Sequence, residues 1–257
     1  MGESGSGKTL TCRTALRILP EAAQIRNDNV SFQSGDTSVD LVKATDRQMR
    51  RIRGNRIAMI FQEPMRSLSP LHRLGNQVSE VLRLHRDTGP AEAKRRVLEQ
   101  FDKVGFVDPE RAWRSYPFEM SGGMRQRAMI AMAMVAQPEL LIADEPTTAL
   151  DVTVQRQVMD LIRTRQEELG TAVIFITHDL AVVSEVCDDV YVMYAGRIVE
   201  SATTRQLFSS PKHAYTRSLQ RSIPAIQPKG ADLYTIPGMP PNLASIIPGC
   251  AFAPRCR

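Results

Sequence analysis

The apolar residues of this chain follow two spacings, one typical of β-strands and the other typical of helices. Continuous apolar runs of strand length cover residues 57–61 and 140–143, and a strand-like run covers residues 172–177. Between them, residues 74–84 and 90–104 carry apolar side chains at helical spacing. Strands that alternate with helices predict a mostly parallel sheet covered by helices on both faces, which is the α/β class.

Local start and stop signals add further elements to this pattern. A capping box that begins at Thr45 predicts a short basic helix, and Gly170 closes a long one. Alternating residues predict a strand that ends before Gly35 and a hairpin that turns at Ala195-Gly196. The predicted ranges are helices at 8–19, 45–53, 152–169 and 214–221, a strand at 29–33, and a hairpin of 190–194 with 197–200.

Changes in apolar spacing and in proline content along the chain predict four segments. Residues 1–63 and 135–208 are the two parts of an α/β core, and residues 64–134 between them are an inserted helical subdomain. Residues 209–257 are rich in proline, so we expect an irregular C-terminal extension with one short helix.

A phosphate-binding motif, G-x-x-x-x-G-K-[ST], stands at the start of the chain. Its glycines let successive backbone N–H groups face a phosphate, while the lysine reaches the β- and γ-phosphates and the threonine hydroxyl binds Mg²⁺. The motif therefore predicts binding of a nucleoside triphosphate with Mg²⁺. A single residue precedes it, so we expect the strand that delivers such a loop to be missing and the chain to be truncated. The motif consists of Gly2, Glu3, Ser4, Gly5, Ser6, Gly7, Lys8 and Thr9.

Two carboxylates end the apolar strand at residues 140–143. Asp144 suits a contact with Mg²⁺, and Glu145 suits the general base that polarises an attacking water. Taken alone, the same pair is equally typical of a surface Asp-Glu after any strand.

A Ser-Gly-Gly sequence opens the helix that runs to residue 137. Ser121, Gly122 and Gly123 would present a hydroxyl, free N–H groups and the positive end of a helix dipole to an anion. In isolation the same sequence is more typical of a flexible turn that caps a helix.

Charge and composition restrict the function very little. The formal net charge of +5 is consistent with binding to a nucleic acid, with binding to an anionic membrane surface, or with charged residues spread over the surface without a binding role. The longest apolar run, residues 128–136, is too short to span a bilayer, and no signal peptide opens the chain. Cys12 and Cys187 stand alone in apolar contexts and are interpreted as reduced thiols. These features predict a soluble protein.

The order of these motifs resembles the nucleotide-binding domain of ATP-binding cassette (ABC) ATPases. Gln62 follows the strand at 57–61, and the Ser-Gly-Gly, Asp144-Glu145, Asp151 and His178 motifs come next in that order. The stretches 59–65, 121–127, 143–151 and 213–216 and the tail 236–256 are most similar to the ATPase subunits of bacterial oligopeptide/dipeptide (peptide/nickel) importers. The resemblance implies a P-loop NTPase (RecA-like) fold with an inserted helical subdomain and the N-terminal strands missing.

The resemblance also implies a role for each motif. Two such domains pair head to tail, and Ser121, Gly122, Gly123 and Gln126 of one contact the ATP that the phosphate loop of the other holds. Thr9, Gln62 and Asp144 would bind Mg²⁺. Glu145 would be the catalytic base. His178 would clamp the γ-phosphate, and Asp151 would couple the two sites.

Partners and location follow from the same resemblance. It implies a second ATPase subunit, identical or paralogous, two membrane permease subunits and, indirectly, a solute-binding protein, with no nucleic acid. The chain would then lie at the cytoplasmic face of the bacterial inner membrane. Cys250 and Cys256 match part of a tail that holds an iron–sulfur cluster in some relatives. Such a cluster takes four ligands, so the resemblance allows one in a full-length protein only, and two free or loosely paired thiols are expected in this chain.

Other interpretations remain open at this point. One is a soluble ABC ATPase that acts on ribosomes or DNA without a membrane partner. Others are an inactive truncated product and one half of a tandem two-cassette ATPase.

Overall fold

The computed structural model describes residues 1–26, 29–63, 67–147, 151–223, 227, 234–244 and 247–256. The predicted start of the helical insert at Pro64, residues 148–150 of the 143–151 stretch, and Pro224 and Pro228 of the predicted extension lie outside them. The chain forms two compact units. The first unit comprises Met1–Cys12 with Ile176–Arg257, and the second unit comprises Arg13–Phe175. The division into four segments remains a prediction.

Helices and strands alternate along the described residues, as the apolar pattern predicts. The helices are α1 Lys8–Leu16, α2 Asp46–Ile52, α3 Leu74–His85, α4 Pro90–Lys103, α5 Pro109–Arg114, α6 Gly122–Met134, α7 Val152–Leu169, α8 Leu180–Val186, α9 Thr204–Ser209 and α10 Ala214–Arg221. The strands are β1 Ser31–Ser34, β2 Thr37–Asp40, β3 Ile57–Ile60, β4 Leu140–Asp144, β5 Ala172–Ile176, β6 Asp189–Tyr194 and β7 Arg197–Thr203. Short 3₁₀ turns cover Pro117–Glu119 and Ala253–Arg255.

A three-stranded sheet in the order β3–β4–β5 organises the second unit. Strands β3 and β4 are parallel, with Ile57 opposite Leu140 and Ile60 opposite Ala143. All four residues of β3 are buried, as expected for a strand covered on both faces. Because parallel strands end at the same edge, the residues that follow Ile60 and those at the end of β4 are brought together.

Helices α3 to α6 bury one apolar core in the second unit. Val78 of α3, Val97 and Phe101 of α4 and Ile130 of α6 are each 0% exposed. Gly75 allows close packing in this region, because a Cβ there would lie 2.1 Å from the Trp113 ring. Burying side chains of this size stabilises the fold by about 1.5–3 kcal/mol each. The same core includes Ile60 of β3 and Leu141 of β4, so the helices and the sheet share it.

The observed helix ends match the predicted ones where a local capping interaction determines the end. The capping box is present, since Thr45 Oγ1 accepts from the Gln48 amide at 3.3 Å and Gln48 Oε1 accepts from the Thr45 amide at 2.8 Å. Helix α7 ends at Gly170, whose φ of 64° is left-handed.

Helix α1 ends at Leu16, three residues before the predicted residue 19. Arg17 adopts a left-handed φ of 53° and the Ile18 amide donates to the Arg13 carbonyl at 3.1 Å. The helix therefore closes at Arg17, ahead of Pro20, the residue from which the sequence predicts the stop.

The first unit is built on the predicted hairpin of β6 and β7, which turns at Ala195 and Gly196 with positive φ. Three fully buried rings pack on it: the Tyr194 and Tyr215 centroids lie 4.5 Å apart, and Phe252 lies 5.3 Å from each. Residues from the hairpin, from α10 and from the C-terminal tail therefore share one aromatic cluster.

Glu200 of β7 ties the hairpin to the turn before α10. Its carboxylate accepts hydrogen bonds from the Lys212 amide at 2.7 Å and the His213 amide at 2.9 Å, and the residue is only 8% exposed. Burial alone would raise the pKa of Glu200, but the hydrogen bonds from the Lys212 and His213 amides help to lower it below its ordinary value.

We predict that Glu200→Gln lowers the free energy of unfolding by about 1–3 kcal/mol at pH 7, because the amide side chain accepts these bonds more weakly. The folded pKa is depressed, so the contribution is present above the ordinary value of 4.5 and is lost as pH falls through the lower folded pKa. Urea unfolding at pH 7 and pH 3 measures it, with the exposed Glu167→Gln as the matched control. Equal stability of Glu200→Gln and the parent protein at pH 7 would rule the role out.

Candidate functional site

The predicted phosphate loop is a tight turn that leads directly into α1. Gly2, Gly5 and Gly7 have φ values of 150°, 79° and 99°. Residues other than glycine rarely adopt these backbone conformations. A Cβ on Gly2 would lie 2.1 Å from the Met193 carbonyl oxygen, so glycine is required there. Helix α1 begins at Lys8, which places the loop at a helix N-terminus, the arrangement that binds phosphate groups.

Hairpin β6–β7 supports this loop from within the first unit. The Met193 amide donates to the Met1 carbonyl at 2.7 Å, and the Gly196 amide donates to the Ser6 carbonyl at 3.0 Å. The Ser6 amide also donates to the Glu3 carbonyl at 3.3 Å, which closes the turn. The loop conformation therefore depends on residues near 195 as well as on its own glycines.

The Lys8 ammonium lies over the turn of the loop. Its Nζ donates to the Gly2 carbonyl at 2.7 Å and to the Glu3 carbonyl at 2.9 Å. These bonds hold the positive charge at the turn of the loop backbone.

Gln62, Asp144 and Glu145 meet at the carboxyl edge of the second unit's parallel sheet. Gln62 Nε2 donates to Glu145 Oε2 at 2.9 Å. Asp144, the last residue of β4, is 0% exposed. Glu145 has a left-handed φ of 46°. This backbone conformation is uncommon for residues other than glycine, and where it occurs it is often at a functional site.

The Ser-Gly-Gly motif caps the N-terminus of α6 in the second unit. Ser121 accepts a hydrogen bond from the Met124 amide at 3.3 Å, and Ser121 and Gly122 are exposed. A Cβ on Gly123 would lie 3.0 Å from Val154, so the helix start packs closely on α7. The sequence allowed two interpretations, a helix cap and a helix N-terminus open to an anion. The structure has both features, because Ser121 caps the helix and its N-terminus is exposed.

Gln126 is buried rather than exposed. It is 2% accessible, and its Nε2 donates to the carbonyl of Pro146, the residue after Glu145. The side chain therefore connects the Ser-Gly-Gly helix to the end of β4. Its contact with a second copy of the domain remains a prediction.

Two further predicted residues stand at helix starts. Asp151 caps α7, because its side chain accepts from the Val154 amide at 2.9 Å. His178 is exposed in the connection between β5 and α8. The phosphate loop and His178 belong to the first unit, whereas Gln62, Ser121, Asp144, Glu145 and Asp151 belong to the second.

The four cysteines are free thiols. Cys250 and Cys256 are exposed, and Cys250 Sγ lies 3.8 Å from His213 Nε2. Within the described ranges, no group of three or more His, Cys, Asp or Glu residues is arranged to hold a metal ion. These residues therefore do not fit an iron–sulfur cluster by themselves, since such clusters take four ligands.

Two contacts to the loop were absent from the sequence predictions. The Glu3 amide donates to the Tyr215 hydroxyl at 2.8 Å, and Arg255 forms a two-fold hydrogen bond with the Glu3 carboxylate. Tyr215 and Arg255 lie in stretches that carry the family resemblance, but nothing in the sequence links them to Glu3.

None of the helices in the described ranges has the length and hydrophobicity needed to cross a membrane.

Two family models match the chain. Residues 1–148 match the model described as "ABC transporter", and residues 199–257 match the model described as "Oligopeptide/dipeptide transporter, C-terminal region". Together they cover the phosphate loop, Gln62, the Ser-Gly-Gly motif, Glu145 and Arg255.

Similar proteins are named as ATP-binding proteins of peptide transport. A probable peptide ABC transporter ATP-binding protein of Sinorhizobium fredii is 52% identical over all of this chain and 76% of its own length. A dipeptide transport ATP-binding protein of Bacillus subtilis and an oligopeptide transport ATP-binding protein of Salmonella typhimurium are each 44% identical over all of this chain, with 76% and 75% of their own lengths covered.

A solved structure has the same fold. It is the dimeric post-hydrolysis state of the ATP-binding cassette MJ0796 bound to ADP and Pi. The similarity has a TM-score of 0.65 and 27% sequence identity, and it covers 80% of this chain and 84% of that one.

Proposed function

This chain belongs to the ABC transporter family of ATPases, and from that premise we propose that it is the ATP-hydrolysing subunit of a bacterial importer for di- or oligopeptides. The observation that carries the proposal is the match of residues 199–257 to the C-terminal region of oligopeptide/dipeptide transporters. Relatives at 44–52% identity, whose names refer to peptide transport, support the same substrate class.

The phosphate loop is the proposed site for the triphosphate of ATP. The positive φ values of its glycines, its place before α1 and the Lys8 ammonium over its turn all fit a bound polyphosphate. Gly7 and Lys8 would hold the phosphates, and the surrounding loop residues would supply backbone N–H groups. The bound Mg²⁺ would neutralise phosphate charge, with Thr9, Gln62 and Asp144 as its proposed ligands.

Glu145 is the proposed general base. The Gln62 amide N–H donates to its carboxylate at 2.9 Å, which orients one of the two carboxylate oxygens. During hydrolysis a water oxygen bonds to the γ-phosphorus, the bond to the ADP oxygen breaks, and the water proton passes to Glu145. Gln62 would orient that carboxylate, and His178 would contact the γ-phosphate.

A second ATPase subunit would complete the site. The similar MJ0796 structure is a dimer, and in this chain Ser121 and Gly122 are exposed at a helix N-terminus, where they can meet an anion from outside. We assign Ser121, Gly122, Gly123 and Gln126 to the ATP held by the partner subunit, and Asp151 to the coupling between the two sites. An iron–sulfur cluster at Cys250 and Cys256 would need further ligands.

The proposed partners also fix the location. Two membrane permease subunits would hold the ATPase pair at the cytoplasmic face of the inner membrane, and a solute-binding protein would act through them. Closing and reopening of the ATP-bound pair would provide the work of import, because ATP binds one of the two states more tightly.

Co-expression with its cognate permease subunits tests this function. We expect the chain to purify with them in detergent, and we expect peptide-loaded binding protein to raise the ATPase rate of the reconstituted complex. Purification with ribosomes or DNA, and no response to peptide, would contradict the proposal and favour a soluble ABC ATPase.

A further inference from the structure

The C-terminal region of the first unit holds a residue of the phosphate loop. Arg255 Nη1 donates to Glu3 Oε2 at 2.7 Å and Arg255 Nη2 donates to Glu3 Oε1 at 3.0 Å, which is a two-fold, planar pairing. The Tyr215 hydroxyl accepts from the Glu3 amide at 2.8 Å. Both the backbone and the side chain of Glu3 are therefore fixed by residues more than 200 positions away in sequence.

Arg255 is preorganised for this contact. Its side chain is 5% exposed, compared with 27% for Glu3, so solvent screens the pair far less than a surface ion pair. The guanidinium lies 5.8 Å from the Tyr194 ring centroid and 5.9 Å from that of Phe252. Its Nε donates to the Pro237 carbonyl at 2.8 Å. The hydrogen bond from Arg255 to Glu3 raises the pKa of the guanidinium, which stays charged at every accessible pH.

Glu3 in turn sets the geometry of the loop. Its carbonyl accepts from Lys8 Nζ at 2.9 Å and from the Ser6 amide at 3.3 Å. A rotation of the residue 3 peptide would move the Lys8 ammonium and open the turn. Arg255 therefore acts on Lys8, a proposed phosphate-binding residue, through Glu3.

Glu3 also brings a carboxylate into a loop that would surround a highly negative triphosphate. An unpaired carboxylate near these phosphates would repel them, and the repulsion is strong where water is partly excluded. Arg255 balances that charge with a fixed guanidinium on the side of the loop that belongs to the C-terminal region.

We propose that Arg255 is a positioning residue for ATP, which fixes Glu3 and neutralises its charge so that the phosphate loop accepts a triphosphate. This inference rests on the proposed function of the loop. It assigns to the C-terminal region a direct effect on nucleotide affinity.

The test measures the Kd for Mg-ATP of the full chain by isothermal titration calorimetry. Arg255→Met keeps the volume and removes the charge, so we expect the Kd to rise about tenfold, a coupling typical of residues in contact. Glu3→Gln removes the repelling carboxylate, so the double variant Arg255→Met/Glu3→Gln should bind ATP within about twofold of Glu3→Gln alone. Arg255→Lys, which keeps the charge without the two-fold geometry, should lie between Arg255→Met and the parent protein.

Matched controls separate the possible failures. Arg205→Met, at an exposed arginine of the same unit, should bind ATP like the parent protein, and circular dichroism should show that every variant is folded. A parent protein that binds no ATP would overturn the proposed function and the inference with it. Parent-like affinity in folded Arg255→Met, or no rescue in the double variant, would overturn the inference alone. If Arg255→Met does not fold, a Kd of Arg255→Lys equal to that of the parent protein would decide against it.

Discussion

Replacing Glu145 with glutamine is expected to lower the steady-state rate of ATP hydrolysis by about 10²–10⁴-fold, the usual contribution of a general base. The amide cannot take the proton of the attacking water, but it keeps the shape of the side chain and one hydrogen-bond acceptor for Gln62. ATP binding should therefore remain, because the phosphate loop is unchanged. Phosphate release measures the rate, and calorimetry measures the affinity.

The control for this variant is Glu167→Gln, at an exposed glutamate of α7 in the same unit. It should hydrolyse ATP at the parent rate. Undiminished hydrolysis by Glu145→Gln would show that another group acts as the base, and the role of the bond from Gln62 would have to be reassigned.

Replacing Lys8 with alanine is expected to weaken ATP binding by roughly 10- to 100-fold, the range for losing charge-assisted hydrogen bonds. Two effects add. The ammonium can no longer contact the phosphates, and the Gly2 and Glu3 carbonyls lose the donor that holds the turn. Calorimetry with Mg-ATP measures the change.

Lys212→Ala supplies the matched control, because Lys212 is an exposed lysine of the same unit. Its affinity for Mg-ATP should equal that of the parent protein. If Lys8→Ala binds ATP as tightly as the parent protein, then the loop is not the nucleotide site, whatever the effect of Glu145→Gln.

Features that depend on nearby residues were predictable from the sequence. Gly170 carries the signal that ends α7, and the predicted range 152–169 matches Val152–Leu169. The alternation of strands and helices predicted a mostly parallel sheet, and β3 and β4 are parallel, although their pairing with each other was not predicted. The edge where Gln62 and Glu145 meet was predictable because ligands of parallel sheets bind beyond the carboxyl ends of the strands.

Features without a local signal were not predictable. Strand β2 is polar, with Thr37, Ser38 and Asp40 around one valine, so the sequence predicts no strand there, although it pairs with β1. Helix α1 ends at a left-handed Arg17, a residue type that gives no stop signal.

Contacts between distant positions were the least predictable part of the site. Arg255 and Glu3 are separated by 252 positions, and each is an ordinary charged residue in its own stretch. Nothing in the sequence around Gln126 indicates that its amide donates to the Pro146 carbonyl of the same chain. In both cases the partner is chosen by the fold rather than by the local pattern.

The identity of the nucleotide retained by Glu145→Gln tests the central claim most directly. The protein is incubated with Mg-ATP, passed through a desalting column and denatured, and the released nucleotide is identified by chromatography. If the phosphate loop binds ATP and Glu145 is the base, the variant retains ATP, while the parent protein retains ADP or no nucleotide. Recovery of ADP from Glu145→Gln, in amounts equal to those from the parent protein, would contradict the account.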